Sequence, residues 1–396
     1  MKICAIISEY NPFHLGHEYQ IKRIREELGP DTAIIAIMSG SFTQRGESAI
    51  ADKRTRAACA TLCGVNLVLE LPFPHSISSA EYFASGAVHI INSLGCVDYL
   101  SFGSENGDIE KIVKVAKIML TDEFNTARVA IFDKAIGYAR AQELALSSVC
   151  REVNFEFTPN NILALEYIKA LIRTNSSVLP HTVKREGLGF NEAVLKSGAL
   201  PSATAVRGLM NNGTAFEQCL PSPTLPYIKD AYEAGDMPCD VSRLDTAVIS
   251  YFRLNPTPSE TLADLGDGLY YRIREASLDA NTIKDLLMLT KTKKYTDAKI
   301  RRDIWYAFFG VTSSDKSNLP HYTQILAMDD VGKSLLRSFV GKSSIPILTK
   351  PSDTSGLDEV ALRQKALTDR TDAIFDLTKP KPKSARDGIR MTPFIK

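Results

Sequence analysis

The sequence lacks a long hydrophobic segment and carries almost no net charge. The apolar run near its start, residues 3–7, is too short for a signal-peptide core or a membrane span. The formal charge is +1, with 47 Lys and Arg against 46 Asp and Glu, so no global field draws the chain toward nucleic acid or an anionic membrane. We therefore expect a cytoplasmic protein that does not bind membranes, with any basic surface confined to a local patch.

The sequence also lacks a cysteine pattern of the disulfide or zinc-binding type. Its seven cysteines are scattered, and only Cys59 and Cys63 lie close together, on a predicted helix. No second close pair and no nearby histidine completes a zinc site. We expect reduced thiols in the core and no protein-bound metal cluster.

The composition, 44% hydrophobic and 23% charged over 396 residues, is that of a soluble globular protein with two domains. In the first half, β-branched runs alternate with helical patterns, as in a parallel sheet covered by helices. The predicted strands are residues 2–8, 32–38, 66–71, 99–102 and 177–184, and the predicted helices are 17–28, 52–63, 79–94, 109–119 and one after Pro159. This pattern predicts an α/β fold with a Rossmann-like, doubly wound sheet that ends near residue 185.

The second half has a different pattern. Prolines at 221, 223, 226 and 238 interrupt a stretch with little apolar periodicity and indicate a linker. Helical patterns follow at residues 244–252, 259–277, 283–289 and 296–309, which predicts a mainly α-helical C-terminal domain. The Lys379–Lys383 run alternates lysine with proline and predicts an exposed, extended tail.

Two histidines follow the first predicted strand, at the start of the first helix. His14 and His17 flank Leu15 and Gly16, where the helix dipole and free backbone N–H groups favour an anion. Imidazole donors on one helix face can bind phosphate oxygens, and Gly16 leaves space for a nucleotide to approach. An H-x-G-H tetrapeptide also arises by chance, with ordinary capping or surface histidines. The strand, loop and helix around it favour the anion site.

A second anion-binding pattern lies much later in the chain. Ser202 and Thr204 open a predicted helix, and Arg207 lies about one turn further on. Hydroxyl groups at a helix start, with an arginine nearby, form an anion site, although Ser202 alone reads equally well as a plain N-cap. One segment follows the first strand and the other follows the last, so together they predict a clamp for the triphosphate of ATP.

Six short motifs give the chain a more specific resemblance. They are residues 9–17, 38–47, 69–72, 102–105, 159–163 and 202–207. These motifs resemble the tRNA(Met) cytidine acetate ligase family, within the H-x-G-H nucleotidyltransferase superfamily. The resemblance implies an ATP-dependent carbon–nitrogen ligase that activates acetate as acetyl-adenylate and acetylates N4 of the wobble cytidine, C34, of elongator tRNA(Met). It implies a nucleotidyltransferase-like ATP-binding domain at residues 1–215 and a tRNA-binding domain at 216–396, with no obligatory protein partner.

The resemblance also implies which residues contact ATP. The predicted catalytic residues are His14, His17 and Arg207. The predicted ATP contacts are Ile7, Ser8, Glu9, Tyr10, Asn11, Pro12, Phe13, His14, Leu15, Gly16, His17, Gln20, Gly103, Asn160, Asn161, Arg185, Ser202, Thr204 and Arg207. One asparagine of the Asn160–Asn161 pair is implied, and which of the two stays open. The chain departs from the family at residues 189–192, which read Gly-Phe-Asn-Glu where a Gly-Tyr-His-Asp-like segment is common.

The implied reaction makes definite demands on the side chains. A carboxylate is already an anion at neutral pH, so its attack on the α-phosphate needs positioning and charge neutralisation rather than a general base. His14, His17 and Arg207 can supply these, and Mg²⁺ is expected to bridge the phosphates. The cytosine amine needs a proton acceptor, for which Glu9 is a candidate and a plain capping carboxylate the alternative. Arg45 either meets the substrate carboxylate or an RNA phosphate, or is a surface arginine.

Residues 284–302 carry the strongest basic signal, with seven Lys or Arg against two Asp. If the segment is one helix, its cations share a face beside Trp305, which suits backbone phosphates. A solvated helix face is the alternative. The predicted tRNA contacts are Lys291, Lys294, Arg301 and Arg302. The basic tail from Lys379 to Lys396 either touches RNA or is disordered.

Two other functions use the same pattern. A small-molecule adenylyltransferase needs the phosphate clamp but has no use for a large second domain with basic stripes. A non-catalytic RNA-binding protein could keep the nucleotide fold but has no need for an intact clamp. The residues that argue against this last function are His14, Gly16, His17, Ser202, Thr204 and Arg207.

Overall fold

A computed structural model describes residues 1–132, 138–185, 201–264, 268–339, 341–350 and 352–396. Its strands are β1 (Ile3–Ser8), β2 (Ala33–Ser39), β3 (Leu67–Leu71), β4 (Tyr99–Ser104), β5 (Leu179–Lys184), β6 (Thr323–Met328), β7 (Ile347–Leu348) and β8 (Phe394–Ile395). Its helices in the N-terminal half are α1 (Leu15–Leu28), α2 (Lys53–Leu62), α3 (Ala80–Ser93), α4 (Ile109–Met119), α5 (Asp122–Phe132), α6 (Tyr138–Val149), α7 (Pro159–Arg173) and α8 (Ala203–Asn211). Those that follow are α9 (Leu225–Ala234), α10 (Asp245–Leu254), α11 (Leu269–Asp279), α12 (Ile283–Thr290), α13 (Asp297–Phe309), α14 (Ser313–Ser317), α15 (Asp330–Phe339), α16 (Glu359–Phe375) and α17 (Ala385–Ile389).

The sheet has the strand order β5-β4-β1-β2-β3-β6-β7, with β8 paired to β6. Strands β1 to β5 are parallel, so the loops that follow them emerge at the same edge. The strand order reverses beside β1, with β2 and β3 on one side of it and β4 and β5 on the other. At such a switch point the loops after the strands diverge and leave a crevice. The predicted α/β fold is confirmed, and most of the predicted ATP contacts lie at this crevice.

Alternation along β1 explains why both faces of the sheet are covered. Ile3, Ala5 and Ile7 belong to one core with α3, α4 and α7. Cys4 and Ile6 point to the other face and belong to a second core with α1, α2, α8 and α9. A parallel strand buried on both faces is apolar throughout, as this one is.

The expectation that the sheet ends near residue 185 was wrong. β6 returns from the C-terminal half and pairs antiparallel with β3, with Leu67 opposite Met328. This pairing covers an edge strand whose residues are all buried. β6 follows α14 in a helix-rich region, and its pairing with β3 is too distant in sequence to show as a local pattern. The division at 215 and 216 stays a prediction, although the second half contributes to the same sheet.

Two smaller expectations were also wrong. The run Lys379–Lys383 is not a free tail, because Lys379 is buried and its Nζ lies 2.5 Å from Oδ1 of Asp376. The chain beyond it packs β8 beside β6. The helix predicted over 259–277 begins at Leu269, directly after Gly268, whose φ of +74° no helix residue adopts. Among the described helices, none is both long and apolar enough to cross a membrane.

A third core joins the two halves of the chain. Phe42 and Phe73, from loops after β2 and β3, pack with the helices α10 to α13 and with α16. The side chain of Trp305 on α13 is buried against Phe42, with ring centroids 4.9 Å apart. The loop after β2 therefore packs against helices of the second half of the chain.

A buried ionic cluster connects α2, β3 and α16. Nζ of Lys53 lies 2.8 Å from both carboxylate oxygens of Glu70 and 2.6 Å from Oδ2 of Asp372. Burial alone lowers the pKa of Lys53, but the charges of Asp372 and Glu70 outweigh burial and raise it, so the ammonium stays charged. Ser41, in the loop after β2, donates a hydrogen bond to Asp372.

Lys53→Met is expected to lower the free energy of unfolding by about 3–5 kcal/mol, because it leaves two neighbouring carboxylates buried without a counter-charge. Urea unfolding followed by circular dichroism measures this change. The matched control is Lys22→Met, because the Lys22 side chain is 74% exposed. Equal effects of the two substitutions would contradict a stabilising role for the cluster.

Candidate active site

The loops after β1, β2, β4 and β5 and the start of α8 surround one cleft of about 360 Å³. The residues that line it are Ile7, Ser8, Glu9, Tyr10, Asn11, His14, His17, Gln20, Thr43, Gln44, Arg45, Glu47, Phe83, Phe102, Gly103, Asn160, Leu163, Tyr167, Arg185, Ser202, Ala203, Thr204 and Arg207. The two predicted anion-binding segments, which are distant in sequence, therefore face the same space.

His14 and His17 form a reciprocal cap at the start of α1. Nδ1 of His14 accepts the N–H of Gly16 at 3.0 Å, and Nδ1 of His17 accepts the N–H of His14 at 3.2 Å. The two ring centroids are 3.9 Å apart. Because Nδ1 is an acceptor in each ring, the neutral imidazole carries its proton on Nε2. Both histidines are thus fixed in the tautomer that offers an Nε2–H donor.

Both imidazoles are neutral at physiological pH. Burial, followed by the nearby charges of Arg185 and Arg207, lowers the pKa of His14 to about 3. Burial, followed by His14 and Arg185, also lowers the pKa of His17 well below its ordinary value. A neutral pair can offer an anion only hydrogen bonds, so positive charge in the cleft comes from its arginines.

Gly16 makes room for a histidine rather than for a nucleotide. A Cβ at this position would lie 2.8 Å from Cε1 of His14. The glycine therefore allows the His14 ring to fold back over the first turn. Five of the predicted ATP contacts are missing from the cleft wall in the described part of the chain, namely Pro12, Phe13, Leu15, Gly16 and Asn161. Phe13 supports the site from behind, with its ring centroid 5.4 Å from that of His17.

Arg207 is held over the cleft by contacts from two loops. Its Nη1 donates to the carbonyl of Asn11 at 3.0 Å, and its Nη2 lies 3.2 Å from Oε2 of Glu47. Ser202 caps α8 by accepting the N–H of Ala205 at 3.2 Å. Ser202 is therefore the N-cap of α8 and also lines the cleft, so the two interpretations of this residue do not exclude each other.

The structure distinguishes the two asparagines at the start of α7. Asn160 lines the cleft, and its Nδ2 donates to Oε1 of Glu105 at 2.7 Å. Asn161 is buried, where its Nδ2 donates to the carbonyl of Glu156 and its Oδ1 accepts the N–H of Glu105. Asn161 therefore fixes the loop, and Asn160 is the one available to a ligand.

Gly103 lies on β4, and Arg185 directly follows the neighbouring strand β5. A Cβ at Gly103 would lie 3.2 Å from Cγ of Arg185, so a larger residue would displace the arginine. Burial lowers the pKa of Arg185, and the charge of Glu105 offsets this lowering only in part. An anionic ligand would restore the stability of this buried cation.

Glu9 precedes the two histidines in the loop after β1 and lines the cleft. Its Oε1 accepts the N–H of Gln44 at 2.8 Å, and Arg56 donates to its backbone carbonyl at 2.6 Å. Burial raises the pKa of Glu9, against the lowering effect of the Gln44 N–H and Arg207. A carboxylate with a raised pKa is a better proton acceptor than an ordinary one.

Several cleft residues were not predicted individually. Gln44 lies in a motif that was recognised as a whole, and its side-chain amide donates to the carbonyl of Ser78 at 3.0 Å. Phe83 and Tyr167 lie on α3 and α7 and were interpreted as parts of helices. Their apolar spacing is that of core residues, so no local pattern separates them from the core.

The predicted basic stripe on one helix was wrong. α12 ends at Thr290, and Thr296 begins α13 by accepting the N–H of Lys299. Lys291 and Lys294 lie in the loop between these helices and do not share a helix face with Arg301. Trp305 is buried, and its Nε1 donates to the carbonyl of Gly46 at 2.8 Å. The Thr296 cap explains the break, because its hydroxyl starts a new helix.

The two arginines of the predicted tRNA contacts face the loop after β2. Nη1 of Arg301 lies 3.3 Å from Oε1 of Glu47, and Nη1 of Arg302 lies 3.5 Å from the carbonyl of Gln44. Lys291 instead pairs with Asp297 at 3.0 Å, and Nζ of Lys294 lies 4.9 Å from the ring centroid of Tyr295. Contact of these four residues with tRNA stays a prediction.

Among the residues that the structure describes, no group of three or more His, Cys, Asp or Glu side chains is placed to hold a metal ion. Mg²⁺ usually keeps several waters and binds through substrate phosphates, so a magnesium–ATP complex fits this cleft without such a cage. Residues 189–192, where the chain departs from the family, lie outside the described residues.

A model of the HIGH Nucleotidyl Transferase family matches residues 1–388. The chain is 37% identical over 361 residues to the tRNA(Met) cytidine acetate ligase of Thermoanaerobacter sp. (strain X514), with 89% of each chain covered. It is 35% identical over 383 residues to the ligase of the same name from Acetivibrio thermocellus, with 92% of each covered.

Solved structures agree with these relatives. Thermotoga maritima TmcAL without ligand is similar with a TM-score of 0.91 and 28% identity, over 100% of this chain and 99% of that one. The same protein bound with alpha-thio ATP is similar with a TM-score of 0.89 and 29% identity, over the same shares. The chain therefore belongs to the tRNA(Met) cytidine acetate ligase family of HIGH nucleotidyltransferases.

Proposed function

We propose that this chain is an ATP-dependent ligase that acetylates N4 of the wobble cytidine, C34, of elongator tRNA(Met). The observation that carries the proposal is the convergence of His14, His17 and Arg207 on one cleft in a member of this family. The related structure bound with alpha-thio ATP supports ATP as the occupant of the cleft. The names of the relatives support tRNA(Met) as the acceptor and acetate as the acyl donor. Such a reaction belongs in the cytoplasm, and we infer no obligatory protein partner.

In the first step, an oxygen of acetate attacks the α-phosphorus of ATP, and the bond to the β-phosphate breaks to release pyrophosphate. Negative charge accumulates on the leaving group. The Nε2–H groups of His14 and His17 donate to its oxygens, and Arg207 supplies a positive charge beside them. Mg²⁺, when bound to the phosphates, would neutralise further charge.

In the second step, N4 of the cytidine attacks the acetyl carbonyl carbon, and AMP leaves. The amine must lose a proton, and Glu9 is the acidic side chain beside the histidine loop that can accept it. The nearby cations Arg207 and Arg45 stabilise its ionised form. Arg45 also lines the cleft, where it can meet the acetate carboxylate.

Incubation of the full chain with ATP, radiolabelled acetate and elongator tRNA(Met) tests this function. After nuclease digestion we expect label in N4-acetylcytidine, with a requirement for both ATP and tRNA. A control tRNA(Met) in which C34 is replaced by uridine should take up no label. Pyrophosphate release with a phosphorylated metabolite and no requirement for tRNA would indicate a small-molecule adenylyltransferase instead. Binding of tRNA without incorporation of label would indicate a non-catalytic RNA-binding protein.

A further inference from the structure

A second cavity of about 780 Å³ adjoins the cleft. Glu47 and Arg207 line both, so these two residues form the partition between them. The other walls come from the segment 238–245, from α12 and from α13. Its volume is in the range of pockets that hold a nucleotide-sized ligand.

The wall of this cavity combines an apolar surface with a charged rim. Ile50, Leu287 and Ile304 form apolar parts of the wall. Arg243 and Lys284 are exposed at the rim. A planar base suits the apolar surface and a phosphate suits the cations, which is the combination that single-stranded RNA presents.

Among the acidic residues of the cavity, Glu47 has cationic partners, whereas Asp240 and Asp245 accept backbone N–H groups and keep their charge. Glu47 pairs with Arg207 at 3.2 Å and with Arg301 at 3.3 Å. Asp240 accepts the N–H of Ser242, and Asp245 accepts the N–H of Ile283, both at 2.9 Å. The lining carries four Lys and Arg against three Asp and Glu, so a small positive excess remains.

We propose that this cavity binds the nucleotide next to the reacting cytidine in the anticodon loop, with its base on the apolar wall and its phosphate at Lys284. The proposal rests on the proposed function. A cytidine that reaches the cleft must place its covalent neighbour close to the cleft wall, and Glu47 and Arg207 belong to the walls of both the cleft and the cavity. The cavity thus serves as a specificity subsite for the RNA that flanks the modified base.

Two variants test the cavity through different properties. Lys284→Glu removes the rim cation, and Leu287→Trp fills part of the apolar wall. For each we expect the KM for tRNA to rise about tenfold, because one phosphate or stacking contact is lost. ATP–pyrophosphate exchange in the presence of acetate should stay within about twofold of wild type, because neither residue lines the cleft. The matched control is Lys114→Glu, an exposed lysine on α4.

Binding of a fluorescent anticodon stem-loop of elongator tRNA(Met) gives a second readout that does not depend on catalysis. Two stem-loops are compared, one with an abasic site 5′ of the cytidine and one with an abasic site 3′ of it. One of the two should bind wild type more weakly than the intact stem-loop does, and the same abasic site should not weaken binding to Leu287→Trp. Lys284→Ala should reduce the slope of log Kd against log salt by about one unit, and Lys114→Ala should leave it unchanged.

The outcomes separate the two proposals. If the wild type acetylates tRNA and the variants at Lys284 and Leu287 behave like the Lys114 control, the cavity is not an RNA subsite and the proposed function stands. If the stem-loop binds with the expected dependence on Lys284 and Leu287 but no N4-acetylcytidine forms, the cavity inference stands and the proposed function is wrong. If the abasic RNA binds wild type and Leu287→Trp with equal loss, the base does not occupy the apolar wall.

Discussion

Replacement of His17 by alanine is expected to slow acetyl-adenylate formation by about 10²–10³-fold, the usual cost of one donor to a developing negative charge. The His17 ring is held by its Nδ1 contact to the His14 N–H, so its Nε2–H is pre-positioned for the phosphates. ATP–pyrophosphate exchange with acetate measures this step. Binding of tRNA should stay within about twofold of wild type, because the RNA subsite proposed above does not include His17.

His17→Asn tests the Nε2–H donor role of His17 separately from its role in capping α1. An asparagine oxygen can accept the His14 N–H in place of Nδ1, but its shorter side chain does not reach the position of Nε2. We therefore expect His17→Asn to be as inactive as His17→Ala while unfolding at the wild-type temperature. Recovery of exchange in His17→Asn would show that His17 acts only as a cap. His321→Ala is the matched control, because the His321 side chain is 39% exposed, pairs with Asp358 and lies outside the cleft wall.

Glu9→Gln is expected to slow acetyl transfer by about 10²–10⁴-fold, the range that a general base contributes. Glutamine keeps an oxygen that can accept the Gln44 N–H, so the loop should keep its conformation. ATP–pyrophosphate exchange should therefore remain close to wild type. Single-turnover transfer from enzyme-bound acetyl-adenylate to tRNA isolates the second step.

The pH dependence gives an independent check on Glu9. Burial raises its pKa above the ordinary value, while Arg207, Arg45 and the Gln44 N–H oppose the rise and Glu47 adds to it. The base is the ionised form, so wild-type transfer should fall as the pH is lowered through this raised pKa. Glu9→Gln should lose that inflection, and Glu18→Gln, a substitution outside the cleft wall, should keep it. A parallel loss of exchange and transfer in Glu9→Gln would contradict the role of a base.

Local patterns predicted the sheet and the cleft well because both depend on short segments. The continuous apolar run of Ile3 to Ile7 and the similar runs of β2 and β3 mark buried strands, and parallel strands bring their following loops to one edge. The H-x-G-H loop and the segment from Ser202 to Arg207 were placed in one site on that basis. The structure brings both to the same cleft.

Contacts between distant segments were not predictable in this way. The choice of Asn160 over Asn161 depends on Glu105, which lies on a different loop. The role of Gly16 depends on how the His14 ring turns, which the sequence does not show. The basic stripe required one helix across residues 284–302. The helices predicted at 283–289 and 296–309 are separate, like α12 and α13, and Thr296 is the N-cap of the second.

The antiparallel strand β6 has a consequence for the order in which the chain folds. β3 leaves the ribosome long before its neighbour Thr323–Met328 has been synthesised. Until then the nascent N-terminal half presents a mostly apolar strand with unpaired backbone groups, which is a template for misassociation. The sheet therefore cannot be completed until the last fifth of the chain has been synthesised. While the residues between β3 and β6 are being synthesised, the unpaired edge of β3 is available to a chaperone.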